Sequence, residues 1–139
     1  MPGAPLSSRE RGLLRYAQQA ADTAYAPYSG LRVGAALLDQ AGAIWTGCNV
    51  ENAAFPVGNC AERNAIAAAV LGRGPQLWIQ AIAVSAMSQA GAARPIAPCG
   101  ACRQAIREFS TTARVVFATG AWDAVAVGID ELLPQAFHE

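Results

Sequence analysis

Three cysteines beside helix starts constrain this chain more than any other feature. Cys99-Gly100-Ala101-Cys102 sets two thiols two residues apart at the start of a helix predicted over 100–109, and Cys60 precedes a helix predicted over 61–71. That spacing lets both thiolates of the pair face one ion, and the positive end of a helix favours their deprotonation. Three thiolates at two helix N-termini can then converge on one zinc. The chain must adopt a fold that brings those two termini together.

The remaining pattern supplies one. Residues 8–25 read as a helix capped by Ser7 or Ser8, with Glu10 in the first turn. Leu13, Leu14, Ala17, Ala20, Ala21 and Ala24 share one face of it. Residues 32–39 and 43–49 read as two strands joined by a hairpin loop at Gln40-Ala41-Gly42, and residues 49–59 as irregular. Residues 78–87 form an apolar strand of the kind buried on both faces, and 88–97 a loop of small residues. A strand over 114–118 and a short helix near 130–133 complete the order. Strands alternating with helices predict an α/β fold, a three-layer α/β/α sandwich. No repeat or linker divides the chain, so residues 1–139 read as one domain.

Composition narrows the function. Ten Arg, no Lys and ten acidic residues give zero net charge, so no global field attracts a phosphate backbone, which counts against nucleic acid as a partner. No run of 18 apolar residues exists to cross a membrane, and the N-terminus has no basic stretch leading into an apolar segment. The expected location is cytoplasmic. Only 14% of residues are charged, which leaves little to solvate the surface of a small domain and favours burial against another copy. An Ala-rich surface tolerated in water is the alternative. A disulfide framework suits neither the length nor the absence of an export signal.

The neighbours of the cysteines sharpen the metal reading. Cys60-Ala61-Glu62, followed by Pro98-Cys99-x-x-Cys102, is the zinc-deaminase signature in its three-cysteine form. Three protein ligands leave a tetrahedral zinc one open position for water, whose pKa the metal lowers. Glu62 does not bind the metal, and carries the proton between that water, the substrate ring and the leaving amine. Two plainer readings stand beside this one. Cys48 could close a four-cysteine structural site, although the eleven residues between it and Cys60 do not resemble a zinc knuckle. Glu62 could be an ordinary carboxylate in a first helical turn.

The sequence resembles the small homotetrameric cytidine deaminase family. The matching segments are Ala26-Pro27-Tyr28-Ser29, Val33-Gly34-Ala35-Ala36-Leu37, Gly47-Cys48-Asn49-Val50-Glu51-Asn52-Ala53, Cys60-Ala61-Glu62-Arg63 and Pro98-Cys99-Gly100-Ala101-Cys102-Arg103-Gln104. The resemblance implies a mixed five-stranded sheet, zinc on Cys60, Cys99 and Cys102, and Glu62 as proton shuttle. It implies a small-molecule partner, a pyrimidine nucleoside. Its sugar hydroxyls would meet Asn49 and Glu51, and its carbonyl oxygen the Ala61 N–H. Asn49 and Glu51 lie two residues apart at a strand end, so both side chains leave the same face. Arg63 would donate to the thiolates and offset their excess charge. Cys48 matches a position that is not a ligand.

By the same resemblance the active sites lie at contacts of a homotetramer. Phe55 would reach a neighbouring site, Phe137 would cover the base from another subunit, and Tyr28 would lie at a contact near the pocket. Plain core or interface packing is the alternative for each aromatic. The sole histidine, His138, reads as exposed and without a role. Leu31 stands where most members carry a Phe that stacks on the pyrimidine, and Phe55 replaces the usual Tyr. The implied reaction is zinc-dependent hydrolytic deamination of cytidine or 2′-deoxycytidine in pyrimidine salvage. A deaminase of a modified cytidine or a cytosine-nucleoside antibiotic is the alternative, with Leu31 widening the pocket. A nucleic-acid editor would want basic grooves, and an inert zinc scaffold would have no use for Glu62.

Overall fold

Small residues line the closest approaches of the first two helices to the sheet. The computed structural model describes residues 5–118 and 123–139. Residues 1–4, where the reading of the N-terminus begins, lie outside that range. The elements are α1 (Ser8–Ala21), β1 (Arg32–Asp39), β2 (Ile44–Cys48), α2 (Ala61–Arg73), β3 (Ile79–Met87), β4 (Ala93–Arg94), α3 (Gly100–Glu108), β5 (Arg114–Ala118), β6 (Ala124–Gly128) and α4 (Ile129–Leu132), with a 3-10 turn at Phe55–Val57. The sheet order is β2-β1-β3-β5-β6, and the two-residue β4 pairs with β3. Only β3 and β5 run parallel, so the sheet is mixed, with five principal strands.

Strand alternation divides the core between two faces. Ala36, Leu38, Ala83 and Val116 pack under Leu13 and Ala17 of α1. Ala35, Leu37, Ile82, Val84 and Val115 face the other way, with Ala65, Ile66 and Ala69 of α2 and Ile106 of α3. Two glycines permit the closest approaches. A Cβ on Gly34 would come within 2.0 Å of the Ala17 carbonyl oxygen, and one on Gly47 within 2.4 Å of the Ala65 nitrogen. The second contact seats the first turns of α2, and so the Cys60 end, directly on β2.

The structure places the short β4 inside the stretch read as a loop and runs α2 on to Arg73, and it departs from the sequence reading at three further places. Ser7 caps α1 in a reciprocal capping box with Glu10, but the helix ends at Ala21 and not at residue 25. The chain is drawn away because Tyr25 bridges to Val50, its N–H donating to the Asn49 carbonyl at 3.0 Å. β6 occupies a stretch where no strand was expected, pairing antiparallel with β5 from Arg114↔Gly128 to Ala118↔Ala124. Its Ala-Val-Ala-Val run carries no polar alternation to mark it as a strand. The last helix begins one residue early, at Ile129, whose side chain is fully buried.

Candidate metal centre and adjoining cavity

Cys60 and Cys99 occupy the N-cap positions of α2 and α3, yet neither side chain caps its own helix. Both thiols turn towards each other. The Sγ atoms of Cys60 and Cys99 are 4.0 Å apart, and those of Cys99 and Cys102 3.5 Å. All three sulfurs lie within 4.8 Å of one another, and Cys102 is fully buried. A tetrahedral zinc with bonds of ~2.3 Å sets its sulfurs about 3.8 Å apart, so the separations seen here suit that ion. Cys48 is outside the cluster, half-buried, and its carbonyl accepts from the Asn64 side chain at 2.8 Å. A closed four-cysteine site is therefore not formed.

The electrostatics of the bare thiols call for a cation. Burial, the Glu62 carboxylate and the adjacent thiols all push the Cys102 thiol upwards. Burial also opposes ionisation of Cys99, but hydrogen bonds from Cys102 and Cys60 bring it below the ordinary thiol value. A coordinating metal deprotonates such thiols outright. Arg63 brings a guanidinium nitrogen to 3.7 Å from Cys60 Sγ, and that contact raises its own pKa. Its Nε is buried and has no partner among the described residues. Soft donors, a buried ligand and a neighbouring cation together fit a thiolate-bound zinc.

Glu62 sits in the first turn of α2, 4% exposed. Burial raises its pKa above the usual carboxylate value, while the Cys102 thiol and the Arg63 charge restrain part of the rise. A carboxyl whose ionised form burial disfavours is suited to taking up and releasing a proton.

Beside the cluster lies a cavity of about 270 Å³. Asn49, Glu51, Cys60, Ala61, Glu62 and Cys99 line it, so the predicted metal, proton and sugar residues meet in one place. Ala61, at the first helical position, contributes a backbone N–H that the helix itself leaves unpaired. Val33, Ile96 and Ala97 also line the cavity and were not singled out in the sequence. Val33 was marked only by its place in a strand and in a matching segment, neither of which names a ligand contact, and the other two lay in a loop of small residues with no motif.

The remaining predicted residues sit elsewhere on this chain. Leu31 is absent from the cavity lining, and its half-buried side chain packs against the core. Phe55 is 75% exposed, edge-on to Tyr28 with ring centroids 5.9 Å apart. These two aromatics border a second cavity of about 390 Å³, which shares Glu51 and Gly58 with the first. Phe137 is 76% exposed on the C-terminal segment, its carbonyl held by the Gln104 side chain at 3.1 Å. His138 is exposed, as expected.

Comparison with known proteins agrees with this geometry. Residues 7–119 match the cytidine and deoxycytidylate deaminase zinc-binding region. A cytidine deaminase of Sporosarcina psychrophila is 42% identical over 128 residues, covering 91% of this chain and 90% of that one. The crystal structure of cytidine deaminase from Burkholderia pseudomallei aligns with a TM-score of 0.79 at 41% identity, covering 95% of this chain and all of that one. That from Mycobacterium tuberculosis aligns at 0.74 with 33% identity, over 93% and 97% of the two chains.

Proposed function

The chain belongs to the cytidine and deoxycytidylate deaminase family, and from that membership we infer that it hydrolyses cytidine or 2′-deoxycytidine to the uridine nucleoside and ammonia. The observation that carries this reading is the meeting of three thiols, a buried carboxyl and the Asn49–Glu51 pair around one cavity. Cys60, Cys99 and Cys102 would hold zinc. Bound there, zinc supplies the Lewis acidity that makes hydroxide available near neutral pH.

The side chains do the rest. Glu62, shielded from water and with too few donors to offset its burial, accepts the proton of the attacking water. It delivers that proton first to ring N3 and then, in a second transfer, a proton to the departing amine. A C4–O bond forms first; the proton of the new C4 hydroxyl then passes through Glu62 to the amine, the C4–N bond breaks as the carbonyl forms, and one water is consumed for each ammonia released. The Ala61 N–H holds the pyrimidine carbonyl oxygen. Asn49 and Glu51 orient the sugar, placing C4 over the thiol cluster. Three thiolates leave a divalent ion with a net negative charge, which weakens its acidity. Arg63, within reach of Cys60 Sγ, draws part of that charge off.

The working form is a homotetramer made of single-domain chains spanning 1–139. Tyr28 and Phe55, both more than half exposed, border the second cavity, and the exposed Val57 shares the 3-10 turn with Phe55; such a grouping on a small domain favours contact with another copy. Phe137 of one copy would cover the base in another. No described helix is long and apolar enough to cross a membrane, and a cytoplasmic setting keeps the thiols reduced for metal. Leu31, half-buried against the core and outside the cavity lining, gives no support to a pocket widened for modified bases.

Absorbance-monitored deamination by the purified, zinc-loaded protein tests the reading. Conversion of cytidine and 2′-deoxycytidine is expected. A folded protein carrying one zinc per chain that converts neither would overturn it.

A further inference from the structure

Two stretches remote in sequence zip together beside the cavity. Tyr25 donates to the Asn49 carbonyl, and the Glu51 N–H donates to the Tyr25 carbonyl at 2.9 Å. Past that point the Glu51 side chain continues the pairing. Its Oε1 accepts from the Tyr28 and Ser29 N–H groups at 2.9 and 3.1 Å, and its Oε2 accepts from the Ser29 hydroxyl. Ser29 Oγ in turn accepts the Leu31 N–H at 3.0 Å.

A hydroxyl has one hydrogen to give. With Leu31 donating into one lone pair of Ser29, that hydrogen is directed at Glu51. Asn49 completes the arrangement, accepting from the Val33 N–H at 2.8 Å and donating to the Leu31 carbonyl at 2.9 Å. Leu31 is thus held at its N–H by Ser29 and at its carbonyl by Asn49. Two backbone donors occupy Oε1 of Glu51, so Oε2 retains the free capacity to accept from a ligand. Asn49 retains a second amide hydrogen to donate. One fixed acceptor and one fixed donor, both lining the cavity, are the complement of a sugar hydroxyl.

We propose that Ser29 is the positioning residue for sugar recognition, its hydroxyl locking the Glu51 carboxylate in the orientation that accepts from a substrate ring hydroxyl. This rests on the reading of Glu51 as a sugar-binding residue. Among the groups acting on Glu51, the Ser29 hydroxyl contributes most to holding its pKa below the ordinary value, with the Ser29 and Tyr28 amides adding to it against desolvation. Ser29 borders the second cavity and is absent from the lining of the first, so it acts through Glu51.

The test compares kcat/KM for cytidine with that for 2′,3′-dideoxycytidine, which lacks both ring hydroxyls. Ser29→Ala is expected to lower the cytidine preference about tenfold, almost wholly through the cytidine KM, with kcat within twofold. Ser29→Thr, which keeps the hydroxyl, restores the preference. Should the Ala variant fold too poorly to assay, Ser29→Cys keeps the shape with a weaker donor and gives a smaller drop in the same ratio. Equal losses on both substrates would overturn the proposal, since a merely structural Ser29 cannot distinguish them. A Ser29→Ala ratio unchanged while Glu51→Gln collapses it would overturn the Ser29 role and leave the sugar site standing. An unchanged ratio in Glu51→Gln would overturn the sugar site and the proposal together.

Discussion

Two buried carboxylates flank α2, and they are held in opposite states. Asp39 is fully buried near the C-terminal end of the helix, where its Oδ1 accepts from the Ala41 and Ala43 N–H groups at 2.8 and 3.0 Å. Its Oδ2 accepts from Trp45 Nε1 and Arg73 Nε, both at 2.9 Å. Burial acts to raise its pKa, but these four donors hold it at about 2. Glu62, at the N-terminal end, is almost as buried, and its pKa is raised. Depth alone therefore does not decide what a carboxyl does. A complete set of fixed donors makes Asp39 a permanent anion that ties β1, β2 and α2 together. An incomplete set leaves Glu62 able to exchange a proton.

The sharpest way to break the contrast is to remove the reason for Glu62 to be there. Cys102→Ser should lose zinc and reduce cytidine turnover by at least about a thousandfold. Metal analysis and the rate on the same sample check this, and a zinc-replete variant with normal turnover would separate Glu62 from the metal site. Next comes the structural carboxylate. Asp39→Asn turns an amide group towards donors that need an acceptor, at a cost of about 2–4 kcal/mol. Denaturant unfolding should register that loss while kcat stays within twofold.

The same pair of proteins gives a pH test. The folded Asp39 carboxyl binds a proton more weakly than the unfolded one, whose ordinary value is 3.8. Its stabilisation is therefore fully present above that pH and is lost as pH falls towards about 2. The stability gap between wild type and Asp39→Asn should narrow across that window, and a constant gap would deny Asp39 its anionic role. The smallest effect expected is at Arg63. Arg63→Gln should keep the fold and lower turnover or zinc retention by about tenfold, and an unchanged protein in both respects would remove Arg63 from the site.

How much of this contrast was legible in the sequence follows from range. Cys99-x-x-Cys102 and Cys60-x-Glu62 announce themselves because their spacing is local and their helix starts are short-range features. The Asp39 anchor draws on Arg73, 34 positions away, and Ser29 reaches Glu51, 22 positions away. Nothing in either local pattern names such a partner. The helical period of α1 extends to Ala24, yet a long-range bridge at Tyr25 ends the helix earlier, tertiary pairing prevailing over local propensity. β6 was hidden by its uniform small apolar residues. The place of Leu31 against the core was equally out of reach, because it depends on the clamp that Ser29 and Asn49 form on its backbone.

The central claim is that Glu62 is the proton carrier of a zinc deaminase, and its most direct test is Glu62→Gln, assayed for cytidine turnover and zinc content on one preparation. The account predicts one zinc per chain, a melting temperature no lower than wild type because a costly buried charge is gone, and turnover reduced by about 10²–10⁴-fold or more. Turnover within a few-fold of wild type at full zinc occupancy would contradict it.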